Sequence, residues 1–140
     1  MAAGWMEPNQ CRSLLILVES VTAPLLIEHP APVCLESDVE SDLEVPGDAA
    51  QTAELIRSLT QQALDSMPDG GDLTVTACRV GDRMELEIAD NGGSVFQRER
   101  KLPIVAAALN VRLQWQDCPQ GGGAVTVSFP ADTIEKRAAA

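Results

Sequence analysis

Residues 48–90 constrain the fold most, because a helix pattern there runs directly into two alternating strand patterns. A Pro-Gly-Asp sequence ends at Asp48, and Asp48 with Gln51 three residues later predicts a capped helix start. The helix is expected over residues 49–67 and should end at the Pro-Asp-Gly-Gly sequence 68–71. Its apolar face is predicted to contain Leu55, Ile56, Leu59, Ala63 and Met67.

Two strands are predicted directly after this helix. Apolar and polar residues alternate over 73–78 and again over 84–88, and Gly81-Asp82 between them is a turn sequence. The pattern predicts a hairpin over 73–90 with one buried face and one polar face. Together with the helix, this hairpin should form the centre of the fold.

The N-terminal part is less regular. Residues 11–28 have helix-compatible apolar spacing, and Pro24 is expected to break or bend that helix. A short strand is predicted over 31–36. Acidic residues then alternate with small or apolar ones from Glu36 to Glu44, which predicts a solvated hairpin or an edge strand, with a metal site as the alternative.

The C-terminal part predicts a short helix and a second hairpin. Residues 95–101 are charged and expected to be irregular, and a helix over 102–109 is predicted to start at Pro103. Alternating strands follow at 111–115 and 125–129, joined by a turn at 120–123. The element order predicts an α+β fold: a two-layer sandwich of a mixed, mostly antiparallel sheet with helices on one face. A single domain is expected over 11–130, with a lead-in at 1–10 and a tail at 131–140.

Charge and composition narrow the possible functions. The chain has 21 acidic and 10 basic residues, for a formal net charge of -11, which disfavours binding to nucleic acid or to an anionic membrane. The longest apolar stretch near the start, Leu14 to Val18, is too short to span a bilayer, and no basic region precedes it. We therefore expect a cytoplasmic protein.

The four cysteines are widely spaced, and the chain has a single histidine, so no zinc site is expected. The thiols are predicted to be buried or half-buried.

Four segments, taken in order, resemble the ATPase domains of histidine kinases, which belong to the GHKL superfamily. Residues 64–75 are similar to the end of the nucleotide-binding helix and the strand after it. Asp90-Asn91-Gly92-Gly93 resembles the first glycine box, and residues 102–105 resemble the helix after the ATP lid. Residues 121–130 resemble the closing strand and its terminal proline. The resemblance spans roughly residues 14–130 and implies the Bergerat-type fold of that family.

The resemblance assigns three residues to a vestigial nucleotide site. Asp90 stands where the family's carboxylate accepts a hydrogen bond from the adenine amino group. Gly92 matches a glycine that lets the backbone approach the nucleotide, whereas the next family glycine falls on Ser94. Gln62 stands where the family has an asparagine that orients magnesium and phosphate, and its extra methylene should spoil octahedral magnesium geometry. Alternatively, Gln62 is a polar residue that flanks the core.

The ATP lid of the family is missing. Only residues 94–101 separate the first glycine box from Leu102, and they contain no glycine. Arg98, Arg100 and Lys101 are interpreted as a charged surface loop, with phosphate contact as the alternative. No phosphoacceptor helix pair is predicted in this sequence either, and the only histidine, His29, is expected to be a loop or surface residue that is not phosphorylated.

Two functional hypotheses follow from this comparison. In the first, the chain is a degenerate ATPase-like domain that acts as a regulator or adaptor in two-component or phosphorelay signalling and binds ATP weakly or not at all. Its partner would be a response regulator, a kinase or a phosphotransfer protein, and residues 11–28 are a possible homodimer contact. In the second, it is the active ATP-binding domain of a histidine kinase or of an anti-sigma-factor-type serine kinase. No catalytic or metal-binding residue is assigned, and ATP with magnesium is expected to bind, if at all, with low affinity.

Overall fold

The structure is a computed structural model that describes residues 11–131, so the predicted lead-in and nearly all of the predicted tail lie outside it. Three α-helices, one 3-10 helix and five strands are found in this part of the chain. In chain order they are α1 (Leu14–Glu28), β1 (Val33–Val39), α2 (Ala49–Asp65), β2 (Gly71–Val80), β3 (Arg83–Asp90), a 3-10 helix (Val95–Gln97), α3 (Val105–Leu109), β4 (Arg112–Asp117) and β5 (Gly123–Phe129).

The five strands form one mixed sheet in the order β1-β2-β3-β5-β4. Only β1 and β2 pair in parallel, with Val33 opposite Gly71 and Val39 opposite Ala77. The remaining neighbours pair antiparallel, and the β2–β3 hairpin turns at Gly81, whose φ of 64° suits glycine. The predicted α+β class with a mostly antiparallel mixed sheet is confirmed.

The helices cover one face of the sheet, as predicted. Apolar residues alternate along the central strands so that Val75, Leu86 and Val127 are buried on the helix side. Helix α2 packs between α1 and α3 in the helical layer and also contacts β3. Its buried face includes Leu55 and Leu59, so the helix and the β2–β3 hairpin do form the centre of the core.

Local sequence signals explain where α2 begins and ends. The Asp48 carboxylate accepts a hydrogen bond of 2.8 Å from the Gln51 amide, as expected for an N-terminal cap. The helix ends at Asp65 rather than at the predicted residue 67, because the backbone amides of Ser66 and Met67 bond three residues back to Ala63 and Leu64. Such bonds tighten the last turn and end an α-helix.

The prediction that Pro24 breaks or bends the first helix is wrong in one respect, because α1 continues through Pro24 to Glu28. Proline removes one intrahelical N–H bond and crowds the carbonyl four residues earlier. Pro24 is exposed, as is Ser20, so water can satisfy the carbonyl that is left without a partner. The sequence pattern did not show which side of the helix would face solvent.

The acidic segment forms an edge strand, not a hairpin. The strand runs over Val33–Val39 rather than over 31–36, and Glu36 and Asp38 lie on its exposed side. One turn at residues 41–42 then leads to an isolated bridge between Ser13 and Glu44. Within residues 11–131, no three His, Cys, Asp or Glu side chains are gathered in a way that would hold a metal ion.

Three smaller expectations also need correction. The helix after the charged segment begins at Val105 rather than at Pro103, and residues 95–97 form a 3-10 turn where irregular chain was expected. Cys11 is buried and Cys118 half-buried, but Cys34 and Cys78 are exposed because they lie on the open face of the sheet.

No helix in the described residues has both the length and the apolar character needed to cross a bilayer.

Candidate functional site

Asp90 lies at the end of β3, where the strand pattern directs its side chain to the helix side of the sheet. It is one of the few buried polar residues in the described chain. One carboxylate oxygen, Oδ1, accepts hydrogen bonds from the backbone amides of Gly92 at 2.9 Å and Gly123 at 3.4 Å. The carboxylate is therefore fixed in position by the chain that surrounds it.

The guanidinium of Arg98 pairs with this carboxylate. Nη1 donates to Oδ2 at 2.8 Å and Nη2 donates to Oδ1 at 3.0 Å, which is the two-bond geometry that arginine and carboxylate favour. The Arg98 side chain is 14% exposed and that of Asp90 is 2% exposed. Arg98 also donates to the carbonyl oxygen of Gly93. The prediction of a surface loop is therefore wrong for Arg98, although Arg100 and Lys101 are exposed.

Gln62 bonds to the same loop from the other side. Its Nε2 donates to the carbonyl oxygen of Lys101 at 2.8 Å, and its Oε1 accepts from the amide of Lys101 at 3.0 Å. Both ends of the side-chain amide are thus used on one backbone position. Gln62 therefore does more than flank the core, because it joins α2 to the backbone at Lys101.

A third contact holds the start of the loop. The Ser94 hydroxyl lies 3.0 and 2.9 Å from the two carboxylate oxygens of Asp117, and the Val95 amide donates to the same carboxylate at 2.9 Å. We call residues 94–104 the lid segment: residues 94–101 stand where the family has its ATP lid, and residues 102–104 connect them to α3. Contacts through Asp117, Asp90 and Gln62 fasten this segment at three points to β4, β3 and α2.

Little space remains between these residues. The cavity that Asp90 and Gln62 both line has a volume of about 10 Å³. A single water molecule needs a cavity of about 10–15 Å³ on the same measure. Its other lining residues include Val95, Arg98 and Trp115, so the lid segment and β4 close it. An adenine ring does not fit in this conformation.

Gly92 lies outside this cavity and makes a different close approach. A Cβ at Gly92 would come within 2.4 Å of the Ser66 hydroxyl oxygen and 2.5 Å of the Ser66 carbonyl oxygen. The glycine therefore lets the loop after β3 pack against the end of α2. In this structure its small size serves contact within the protein.

The only histidine lies at the C-terminal cap of α1. Its Nε2 is 2.7 Å from the carbonyl oxygen of Met67, so His29 joins the ends of α1 and α2. The absence of phosphorylation on His29 remains a prediction.

Comparison with known proteins was made by sequence and by structure. No family model and no curated protein matches the sequence. Solved structures do match: the mycobacterial sensor histidine kinase MprB has a TM-score of 0.69 at 18% identity, over 84% of this chain and 94% of the other. The catalytic domain of the histidine kinase ThkA, in a nucleotide-free form, gives 0.67 at 14% identity, over 85% and 94%. The cytoplasmic segment of the histidine kinase QseC gives 0.63 at 20% identity, over 84% and 71%.

This chain has the fold of a histidine-kinase ATPase domain. The resemblance seen in the sequence motifs is thereby confirmed at the level of architecture. Within that fold, Asp90 and Gln62 line one cavity, and Gly92 donates its backbone N–H to Asp90 from outside it. Sequence reasoning missed the role of Arg98, which occupies the space between them. The only sequence signal for this role of Arg98 was its positive charge in a segment that is too short to be an ATP lid.

Proposed function

We propose that the chain is a degenerate histidine-kinase ATPase-like domain that acts by binding other signalling proteins and that it binds ATP weakly or not at all. The observation that supports this most directly is the Arg98–Asp90 ion pair. The carboxylate that would read adenine already has two charge-assisted hydrogen bonds from within the chain.

Energetics favour the internal pair over a nucleotide. Hydrogen bonds to charged groups contribute about 1.5–3 kcal/mol each, and Arg98 makes two of them to Asp90. An adenine amino group is neutral and offers this carboxylate one such bond. To enter, ATP would have to break the buried pair and leave the guanidinium without its partner, which is costly in a protein interior.

The part of the site that would hold the phosphates is also poorly suited to binding ATP. ATPase sites hold phosphates through backbone N–H groups and a magnesium ion. The lid segment contains no glycine, and the amide of Gln62 is engaged by the Lys101 backbone. We therefore expect a dissociation constant for Mg-ATP above about 1 mM, equivalent to a binding free energy weaker than about 4 kcal/mol.

The signalling role rests on the names of the structural neighbours, which are sensor or light-activated histidine kinases. The fold is retained, whereas side chains of the protein itself fill the nucleotide site. This combination is expected if selection has kept the surface for binding other proteins and has not kept ATP binding. We propose a response regulator, a kinase or a phosphotransfer protein as partner, in the cytoplasm of a bacterium. Fold alone does not assign a function, so this part of the proposal rests on analogy.

An active ATP-dependent kinase domain is the second candidate, and one observation favours it. Asp90 still lies at the end of β3 beside Gly92, and Arg98 is the side chain that pairs with its carboxylate. If the lid segment moved away together with Arg98, the carboxylate would be free to bond to a nucleotide.

Calorimetric titration with Mg-ATP tests the two candidates. The proposed function predicts no saturable heat up to about 1 mM nucleotide, and Gln62→Asn should not restore binding. Micromolar binding that is lost in Asp90→Asn would favour the active kinase and contradict the proposal.

A further inference from the structure

The lid segment exposes apolar side chains around positive charge. Six large apolar residues are exposed in the described part of the chain, and three of these six lie in the lid segment, between residues 96 and 104. Phe96, Leu102 and Ile104 are 64%, 67% and 93% exposed. Arg100 stacks over the Phe96 ring at 5.3 Å. The Lys101 side chain is exposed and lies 3.9 Å from the carboxylate of Glu99, which is also exposed, so Arg100 gives these three residues a net positive charge. This basic, apolar surface stands out on a chain with a net charge of -11.

The outer face of α1 has the opposite character. Ile16 and Ile27 are exposed at its two ends, with Ala23 and Pro24 exposed between them. The helix contains no Lys or Arg, and its charged residues are Glu19 and Glu28, both exposed. Its 15 residues give an apolar, acidic strip about 22 Å long.

We propose that the chain forms a homodimer in which the lid segment of each copy packs on α1 of the other. The two surfaces complement each other: each supplies exposed apolar side chains, and the net charge of the lid segment is opposite to that of α1. Complementary charge fixes register and partner choice at such contacts. This deepens the proposed function, because it identifies a binding surface on each side of the interface.

The arrangement of the helical layer allows the contact to form twice. Helix α2 lies between α1 and α3, and the lid segment leads directly into α3. When two such layers meet face to face about a two-fold axis near α2, each α1 lies against the partner's lid segment. Both contacts are then used, and the assembly closes as a dimer without growing into a filament.

Rigidity of the lid segment favours this use. Gln62 and Asp117 bond to its backbone and Asp90 bonds to its Arg98 side chain, so the path of the segment is fixed before a partner arrives. A pre-ordered surface loses less conformational entropy when it binds. The same bonds that fill the nucleotide site therefore build the proposed docking surface.

Sedimentation velocity of the full 140-residue chain tests the proposal. The expected result is a concentration-dependent monomer–dimer equilibrium. Reversing the lid charges (Arg100→Glu with Lys101→Glu) should raise the dimer dissociation constant at least tenfold, and so should reversing the helix charges (Glu19→Lys with Glu28→Lys). Mixing the two variants should restore association, because both contacts of the mixed dimer again pair opposite charges.

A matched control separates this contact from net charge. Arg79→Glu with Arg83→Glu makes the same change in charge at the exposed tip of the β2–β3 hairpin and should leave the dimer unchanged. A monomer at all concentrations would overturn the proposal, as would a dimer insensitive to both reversals or a mixture that fails to associate. None of these outcomes depends on ATP, so a failure here is distinct from a failure of the nucleotide titration. Circular dichroism confirms that each variant is folded.

Discussion

Arg98 and Asp90 are eight positions apart in the chain, yet their side chains meet in a buried pair with hydrogen bonds of 2.8 and 3.0 Å. The carboxylate belongs to the end of a central strand, and the guanidinium belongs to the lid segment. The pair therefore fastens the lid segment to the sheet. The pair has consequences for stability that can be measured without any ligand.

Arg98→Ala should lower the free energy of unfolding by about 3–5 kcal/mol, because it leaves a buried carboxylate without its cation. Asp90→Ala should also destabilise, since it additionally removes the bonds from Gly92 and Gly123. Urea denaturation of both single variants and of the double variant gives the coupling energy between the two residues. The double variant should lose clearly less unfolding free energy than the two single variants lose in sum. Additivity within about 0.5 kcal/mol would contradict the pairing.

Gln62→Ala should loosen the lid segment. The Lys101 amide donates to Gln62 Oε1, so it is expected to be protected from hydrogen exchange in the natural chain. Its exchange should become at least tenfold faster in the variant, as measured by NMR. Gln61→Ala is the matched control, because Gln61 bonds to Asp65 on its own helix and does not reach the lid segment. Equal effects of the two substitutions would contradict the assignment.

Adjacent glycines after β3 should respond differently to alanine. Gly92→Ala should destabilise by about 1–3 kcal/mol, because its Cβ would overlap with Ser66. Gly93→Ala meets no atom within 4 Å and should be neutral or slightly stabilising. Thermal unfolding of both variants measures the difference. If Gly93→Ala were the more damaging, the packing of this loop would be wrong.

The pKa of the Cys118 thiol is raised above its ordinary value, first by burial and then by the nearby carboxylates of Glu87, Asp90 and Asp117. The folded state thus binds the thiol proton more tightly than the unfolded state does. The resulting stabilisation is complete below the unfolded pKa and is lost as pH rises through the folded pKa.

Cysteine alkylation tests this shift. Near pH 8, iodoacetamide should modify the exposed Cys34 and Cys78 well before Cys118, whose labelling should rise only at more alkaline pH. Mass spectrometry of the digested protein measures each site. Labelling of Cys118 at the rate of Cys78 would contradict the shifted pKa.

The centre of the fold could be predicted because its signals are local. Strict alternation identified the β2–β3 hairpin, and a cap at Asp48 with a helical apolar period identified α2. Pro24 was misjudged because its cost depends on whether the carbonyl that loses its partner is solvated, and that depends on how α1 packs. The sequence pattern carries no such information.

The candidate site could be predicted only in part. Motif order placed Asp90 and Gln62 in one cavity, because strand ends and helix faces follow from periodicity. The partners of these two residues come from the lid segment, whose path has no periodicity. Nothing in the local sequence distinguishes Arg98, which is half-buried, from Arg100, which is exposed.

The order of strands in the sheet affects how the domain folds during translation. β5 lies between β3 and β4, so the strand that is synthesised last among the described residues is an interior strand of the sheet. Until residues 123–129 emerge, β3 has an unpaired edge along Met84 to Ala89, and β4 has no neighbour in the sheet. The edge of β3 in a nascent chain is therefore open and prone to aggregation until β5 has been synthesised. Folding of this domain is expected to finish only after translation of β5, however early α2 and the first hairpin have formed.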